Sequence, residues 1–237
     1  MLSVLNLTKK YKSTILEDLS VTFPEKTMSI IVGVNGSGKS TLLDCISGIK
    51  NFNSGRIQIN GFDNDAIEFK SQLFYIPSDF YLPEYMTGAE YISFVLSRYT
   101  TSDLFMVHQL IDIFSMTDAK NKLIEGYSFG MKKKIQIIAM IAARTNYVMA
   151  DEVFSGLDFE TTILLKEILA ELINKTGIIL VSHSLDILRQ FPDNVYLMRD
   201  GKLEKNTDEI DNLSNIVKGE ANIYENIDRF KKSYYSE

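Results

Sequence analysis

Gly33-Val34-Asn35-Gly36-Ser37-Gly38-Lys39-Ser40-Thr41 is the stretch that decides the fold. An apolar run of β type, Met28 to Val32, leads into it, and Leu42, Leu43, Ile46 and Ile49 follow at helical spacing. Strand, glycine loop and helix in that order form the setting in which a backbone cradles phosphate. The glycines at 33, 36 and 38 reach conformations closed to residues with a Cβ, so successive N–H groups can converge on an anion at the helix N-terminus. Lys39 adds a full positive charge. Ser40 supplies a hydroxyl for the oxygen shell of Mg²⁺, an ion that takes few protein ligands and fills the rest with phosphate and water. The implied ligand is a nucleoside triphosphate.

With 237 residues and 45% hydrophobic content, the chain can bury a sizeable core as one large domain or two small lobes. A net charge of -6 gives phosphate backbones no global positive field to respond to, so no nucleic-acid partner is expected. Cys45, the single cysteine, falls in the helical pattern after the loop, where it packs as a small apolar side chain. That excludes a disulfide framework and fits a cytoplasmic location. No window approaches the roughly 18 apolar residues of a membrane span, and the first residues, Met1 to Asn6, lack the basic region and apolar core of a signal peptide. Any membrane role is expected to come through a partner.

Residues 1 to 8 and Leu19 to Phe23 alternate like half-buried strands, with Lys9 to Ser13 a polar turn between them. Tyr11 stands in that turn, where stacking on a flat base and capping a hairpin both suit an aromatic. Gly55 to Gly61 and Gln72 to Ile76 read as further strands, the second ended by Pro77. From Thr87 to Arg144 the pattern turns helical, with Thr101-Ser102-Asp103 a cap between two helices and Ser128 the N-cap of another. His108 lies within an apolar helical pattern and has no second ligand at metal-binding spacing, so it reads as a surface or core residue. Lys132, Lys133 and Lys134 read as a solvated helix face.

Tyr147 to Ala150 is a buried strand that ends in two adjacent carboxylates, Asp151 and Glu152, at the strand end where α/β folds bind ligands. An acidic pair there can simply cap a strand. Beside a phosphate loop, however, Asp151 can hold Mg²⁺ while Glu152, pointing elsewhere, polarises a water against the γ-phosphate. Ile178 to Val181 is another buried strand, and His183 two residues past it is expected on the same sheet edge, in contact with the γ-phosphate. Beyond Asn206 the chain is polar, with Ile210, Leu213, Ile216 and Val217 at roughly helical spacing and a Tyr234-Tyr235 end.

In order, and up to about residue 205, these motifs resemble the nucleotide-binding subunit of ATP-binding cassette (ABC) transporters. Gly33 to Thr41 is similar to the Walker A loop, Tyr147 to Asp151 to the Walker B strand, Glu152 to the catalytic glutamate, Ser155 to Asp158 to the D-loop and His183 to the switch histidine. Tyr11 falls where the family places its adenine-stacking aromatic. Tyr127 to Met131 occupies the place of the Leu-Ser-Gly-Gly-Gln signature, keeping Ser128 and Gly130 and departing at Phe129 and Met131. Signatures followed by Met and basic residues are similar to those of exporter-type (ABC-2) ATPases that work with separately encoded membrane subunits. Val153 replaces the proline usual after the glutamate, and Ser78, followed by Asp79, replaces the glutamine of the Q-loop.

The resemblance implies an α/β phosphate-loop (P-loop NTPase) ABC ATPase fold over residues 1–205. It carries an antiparallel β-subdomain and a helical subdomain at about 84–145, and residues 206–237 form a C-terminal polar tail. It implies ATP held by Tyr11, Asn35, Gly36, Ser37, Gly38, Lys39, Ser40 and Thr41, Mg²⁺ held by Ser40 and Asp151, and catalysis by Glu152 and His183. Two copies would pack head to tail as a homodimer, each ATP meeting Ser128 and Gly130 of the other copy. A membrane-spanning permease subunit would hold the chain at the inner face of the cell membrane and carry out export. Two other readings are a soluble ABC ATPase of iron-sulfur cluster assembly and a catalytically silent binding module. The second requires loss of Lys39, Asp151, Glu152 or His183, and all four are present.

Overall fold

The computed structural model describes residues 1–79, 82–213 and 223–234. Two sheets organise them. Strands β1 (Leu2–Lys10), β2 (Thr14–Phe23), β4 (Ser54–Ile59) and β5 (Phe62–Asp63) form an antiparallel sheet in the order β2-β1-β4-β5. A six-stranded sheet has the order β10-β9-β3-β8-β7-β6. Its members are β3 (Met28–Val32), β6 (Leu73–Ile76), β7 (Tyr147–Asp151), β8 (Gly177–Val181), β9 (Val195–Arg199) and β10 (Lys202–Lys205). It is parallel except where β10 returns antiparallel along β9. The second strand begins five residues earlier than the Leu19 expected, because the turn is short and the ladder resumes at once with Thr14 opposite Lys10 and Leu16 opposite Lys9.

Every residue of β3, β7 and β8 is buried, as expected of strands covered on both faces. Their side chains alternate between two cores. Ile30, Val32, Val148, Ala150, Ile178 and Leu180 face one core, which they share with helices α3 (Gly88–Leu96), α4 (Leu104–Ile113), α5 (Phe129–Ala143) and α6 (Phe159–Leu172). Ile31, Tyr147, Met149, Ile179 and Val181 face the other, which they share with the antiparallel sheet, α1 (Lys39–Ile46) and α2 (Ile67–Ser71). Cys45 sits fully buried in that second core, and burial pushes its thiol up to about 11.

The helical stretch between β6 and β7 is well capped. Thr87 and Glu90 form a reciprocal capping box on α3, the Asp103 carboxylate accepts from Met106 N–H to start α4, and the Ser128 hydroxyl accepts from Met131 N–H to start α5. Each places an acceptor where a helix start leaves its N–H groups unpaired. Past residue 205, Leu213 is 2% exposed in the first core, Arg189 pairs with Asp211 at 2.7 Å, and Ile223–Tyr234 forms a further helix. The expected pattern residues Ile216 and Val217, and Tyr235, lie outside the described residues.

Register matters more to the site than any single helix. Ile31 and Asp151 both lie opposite Val181, and Ala150 lies opposite Ile76. The residues that follow β3, β8, β7 and β6 therefore emerge side by side at one edge of the sheet.

One side chain ties the two sheets together. Tyr147, fully buried on β7, accepts from Leu2 N–H at 2.9 Å and donates to the Phe23 carbonyl at 2.9 Å. Its ring lies where a Cβ on Gly177 would come within 2.5 Å, so the neighbouring strand leaves room for it. Tyr147→Phe should strand a buried donor and a buried acceptor and cost about 1–3 kcal/mol. Urea unfolding should show a lower midpoint at unchanged slope; an unchanged midpoint would count against this tie.

Candidate functional site

The loop after β3 is shaped by close approach. A Cβ on Gly33 would lie 2.3 Å from the Met198 carbonyl oxygen, so only glycine fits there. Gly38, at φ +110, is the N-cap of α1, and no side chain caps that helix start. Its first residues line the cavity and their N–H groups have no capping side chain, an arrangement that suits an anion. Lys39 is 7% exposed, and its ammonium donates to the Gly33 carbonyl at 2.7 Å and the Val34 carbonyl at 2.9 Å. Burial holds the pKa of the Lys39 ammonium below the usual lysine range, with the charges of Asp151 and Glu152 pulling the other way.

Across from it, Asp151 ends β7 at 2% exposure. Burial raises its carboxyl above the usual range, against the Ser40 hydroxyl that bonds to it and the charge of Lys39. Its Oδ2 is buried with no hydrogen-bond partner. Glu152 takes a left-handed backbone, φ +51, and donates its N–H to the Val181 carbonyl at 3.1 Å. Such a conformation costs a residue with a Cβ on the order of 1–3 kcal/mol, and here it turns the side chain out of the strand's alternation. Burial raises the Glu152 carboxyl too, followed by the like charge of Asp151, and its Oε1 also has no hydrogen-bond partner. His183 Nε2 lies 3.5 Å from that oxygen, within ion-pair reach yet outside hydrogen-bond geometry. Burial and the charge of Lys39 lower the His183 pKa below the usual histidine range and favour the neutral imidazole, against the charge of Asp151.

These groups surround one cavity of about 480 Å³. Of the residues expected to bind nucleotide or metal, Tyr11, Asn35, Gly36, Gly38, Lys39, Ser40, Thr41 and Asp151 line it, together with Glu152 and His183. Tyr11 is 56% exposed at its mouth, with the Lys9 ammonium 4.5 Å from the ring centroid. Ser37 stays in the wall of the loop, its buried hydroxyl without a partner. Ser78, Ile15, Ser155 and Val181 complete the lining. Ile15 was missed by the sequence reading, since an apolar residue on an alternating strand carries no mark of a ligand wall.

Ser128 and Gly130 do not line the cavity. Ser128 is exposed at the start of α5, and Phe129 beside it packs against Gly156, where a Cβ would come within 2.1 Å of the ring. The three lysines that follow depart from the solvated face expected of them. Lys132 pairs with Glu84 at 2.9 Å, Lys134 pairs with Asp158 at 3.1 Å, and Lys133 is 1% exposed. The helix is buried on nearly all sides, so a charge run on it has little solvent to face.

The donor set fits Mg²⁺. The Ser40 hydroxyl favours the ionised Asp151 carboxyl, and the buried carboxylate oxygens of Asp151 and Glu152 that lack hydrogen-bond partners suit a cation. No group of three His, Cys, Asp or Glu among the described residues could hold a metal by itself, so such an ion would draw on phosphate oxygens and water, as Mg²⁺ does. A larger apolar-lined cavity of about 660 Å³, between α4, α5 and α6, contains none of these groups.

Comparison with known proteins agrees with this geometry. The family model described as ABC transporter matches residues 16–155, a span that includes the glycine loop, Ser128, Gly130, Asp151 and Glu152. The methionine import ATP-binding protein MetN 2 of Yersinia pestis bv. Antiqua (strain Antiqua) is 28% identical over 223 residues, covering 86% of this chain and 67% of its own length. The petrobactin import ATP-binding protein YclP of Bacillus subtilis (strain 168) is 26% identical over 216 residues, covering 86% of both. Among solved structures, an ATP binding subunit of an ABC transporter superposes with a TM-score of 0.82 at 27% identity, covering 92% of this chain and 95% of its own. The dimeric ATP-binding cassette MJ0796, in a post-hydrolysis state bound to ADP and Pi, superposes with a TM-score of 0.76 at 21% identity over 88% of this chain and all of its own, a likeness of fold.

Lys39→Met removes the ammonium and keeps the length of the side chain. Loss of a charge-assisted contact to phosphate, worth about 1.5–3 kcal/mol, should weaken ATP binding by roughly 10- to 150-fold. Calorimetric titration with ATP checks it, and equal affinity in mutant and wild type would remove Lys39 from the site.

Proposed function

Because the chain belongs to the ABC transporter family, we propose that it is the ATP-binding and ATP-hydrolysing subunit of a transporter, using the cavity around Lys39, Asp151, Glu152 and His183. The observation that carries this reading is the convergence of those four side chains and the uncapped start of α1 on one cavity. Tyr11 stacks on the adenine, and the loop amides with Lys39 hold the β- and γ-phosphates. Ser40 and Asp151 hold Mg²⁺, which when bound neutralises charge on the phosphate oxygens. Glu152 orients the attacking water and takes its proton, a role helped by a carboxyl raised above its usual range. His183 donates a hydrogen bond to a γ-phosphate oxygen.

Ser128 and Gly130 act on a second copy's nucleotide in a head-to-tail homodimer. Ser128 exposed and Gly130 half-buried at the start of α5, both outside their own cavity, support that role, and the dimeric MJ0796 cassette offers a fold-level parallel. Residues 1–205 form the ATPase domain, with a helical subdomain over about 84–145 and a C-terminal tail from 206. No helix among the described residues is long and apolar enough to cross a membrane. On this reading the chain works in the cytoplasm, at the inner face of the cell membrane, through a membrane-spanning permease subunit. The iron-sulfur assembly reading gains no support from a transporter family match and transporter relatives.

For the direction of transport, the Tyr127-Ser128-Phe129-Gly130-Met131 signature with its lysines favours export. The named relatives favour a second reading, import, since the methionine and petrobactin proteins are import ATPases. Purification from solubilised membranes should recover the chain with a multi-span subunit that stimulates its ATPase; a chain recovered without any membrane protein would contradict the reading. In inverted vesicles supplied with external ATP, an exporter fills the lumen with substrate and an importer empties it.

A further inference from the structure

Three consecutive lysines open α5, and consecutive helix positions point about 100° apart. They consequently reach three different loops. Lys132 donates to Glu84 at 2.9 Å, ahead of α3, and Lys134 pairs at 3.1 Å with Asp158, the N-cap of α6. Lys133 turns inward. It is 1% exposed, and its ammonium donates to the Pro77 carbonyl at 3.3 Å, at the start of the turn that brings Ser78 to the cavity wall.

A buried ammonium needs compensation, and an aliphatic residue would fill the same space without that penalty. For Lys133, beyond the Pro77 carbonyl, the charges of Asp151, Glu152 and Asp79 favour its ionised form, while burial opposes it. It thus shares the charges of Asp151 and Glu152 with Lys39 of the phosphate loop. The helix that carries Lys133 begins at Ser128, exposed and outside its own cavity.

We propose that Lys133 is a positioning residue for ATP hydrolysis: by holding the Pro77–Asp79 turn against the end of β7, it fixes Ser78 at the nucleotide cavity and ties that turn to the helix that presents Ser128 and Gly130. The inference rests on the ATPase reading above. It assigns Lys133 no contact with nucleotide. Through it, the loop nearest a chain's own nucleotide and the surface offered to a second copy share one rigid element, so a shift of the turn moves α5.

The test uses the full chain and Lys133→Met, which keeps the unbranched side chain and removes charge and donor. With Mg²⁺-ATP, affinity should stay within about threefold of wild type while kcat falls about tenfold or more, the pattern of a lost positioning contact. Hydrogen exchange should rise at the Ser78 and Asp79 amides and remain unchanged in β7 and the body of α5. Wild-type kcat in the variant, or exchange raised evenly through α5 and β7 as a mere packing defect would raise it, overturns the inference. A wild-type chain that does not hydrolyse Mg²⁺-ATP would instead overturn the ATPase reading, so the two failures are distinguishable.

Discussion

Burying the ammonium of Lys39 is the constraint on which the site depends. At 7% exposure it must be met by acceptors and opposing charge, and the fold supplies both from separate parts of the chain. The Gly33 and Val34 carbonyls come from its own loop, and Asp151 and Glu152 from a strand more than a hundred residues later. Parallel register does the rest, since Ile31 and Asp151 both align with Val181. Shifting β7 by one residue would exchange the faces of its side chains and turn the acids away from the loop. Three strands buried on both faces make such a slip costly, because it would also exchange which apolar side chains serve which core.

The carboxylates raise the opposite problem. Both are pushed toward the neutral form by burial, both keep an oxygen without a hydrogen-bond partner, and they are adjacent in sequence. A left-handed residue at Glu152 separates their directions at some cost in backbone strain. The cost is understandable if the site is completed by a cation and phosphate, whose charges are absent from the protein itself. Strain and orphaned acceptors then mark the place where binding energy is returned.

Much of this was legible in the sequence because local chemistry and tertiary role coincide. Gly33 to Thr41 has a local geometry that only certain residues accept, and the apolar runs Tyr147 to Ala150, followed by Asp151, and Ile178 to Val181, two residues short of His183, announce buried strands with polar ends. The caps at Asp103 and Ser128 were legible for the same reason. Features set by long-range packing were less so. The early start of β2 depends on pairing with Lys9 and Lys10, and Ile15 becomes a cavity wall only because the hairpin folds over the phosphate loop. Lys133 was misread because a lysine run on a helix usually faces solvent, whereas α5 is enclosed by α3, α4 and the sheet and its lysines find partners in the surrounding loops. The place of Ser128 and Gly130 outside their own cavity follows the expectation drawn from the family resemblance, which set them against the nucleotide of a second copy.

That position carries the central claim, that each nucleotide is held by one copy and completed by another. Glu152→Gln retains the shape of the side chain and removes the base, so bound ATP should persist. Light scattering of this variant across a series of ATP concentrations with Mg²⁺ measures the claim most directly. The account predicts a monomer without nucleotide and a dimer at saturating ATP, with the dimer lost when Ser128 is also replaced by a bulky residue. A variant that binds ATP and remains monomeric at every concentration would contradict it.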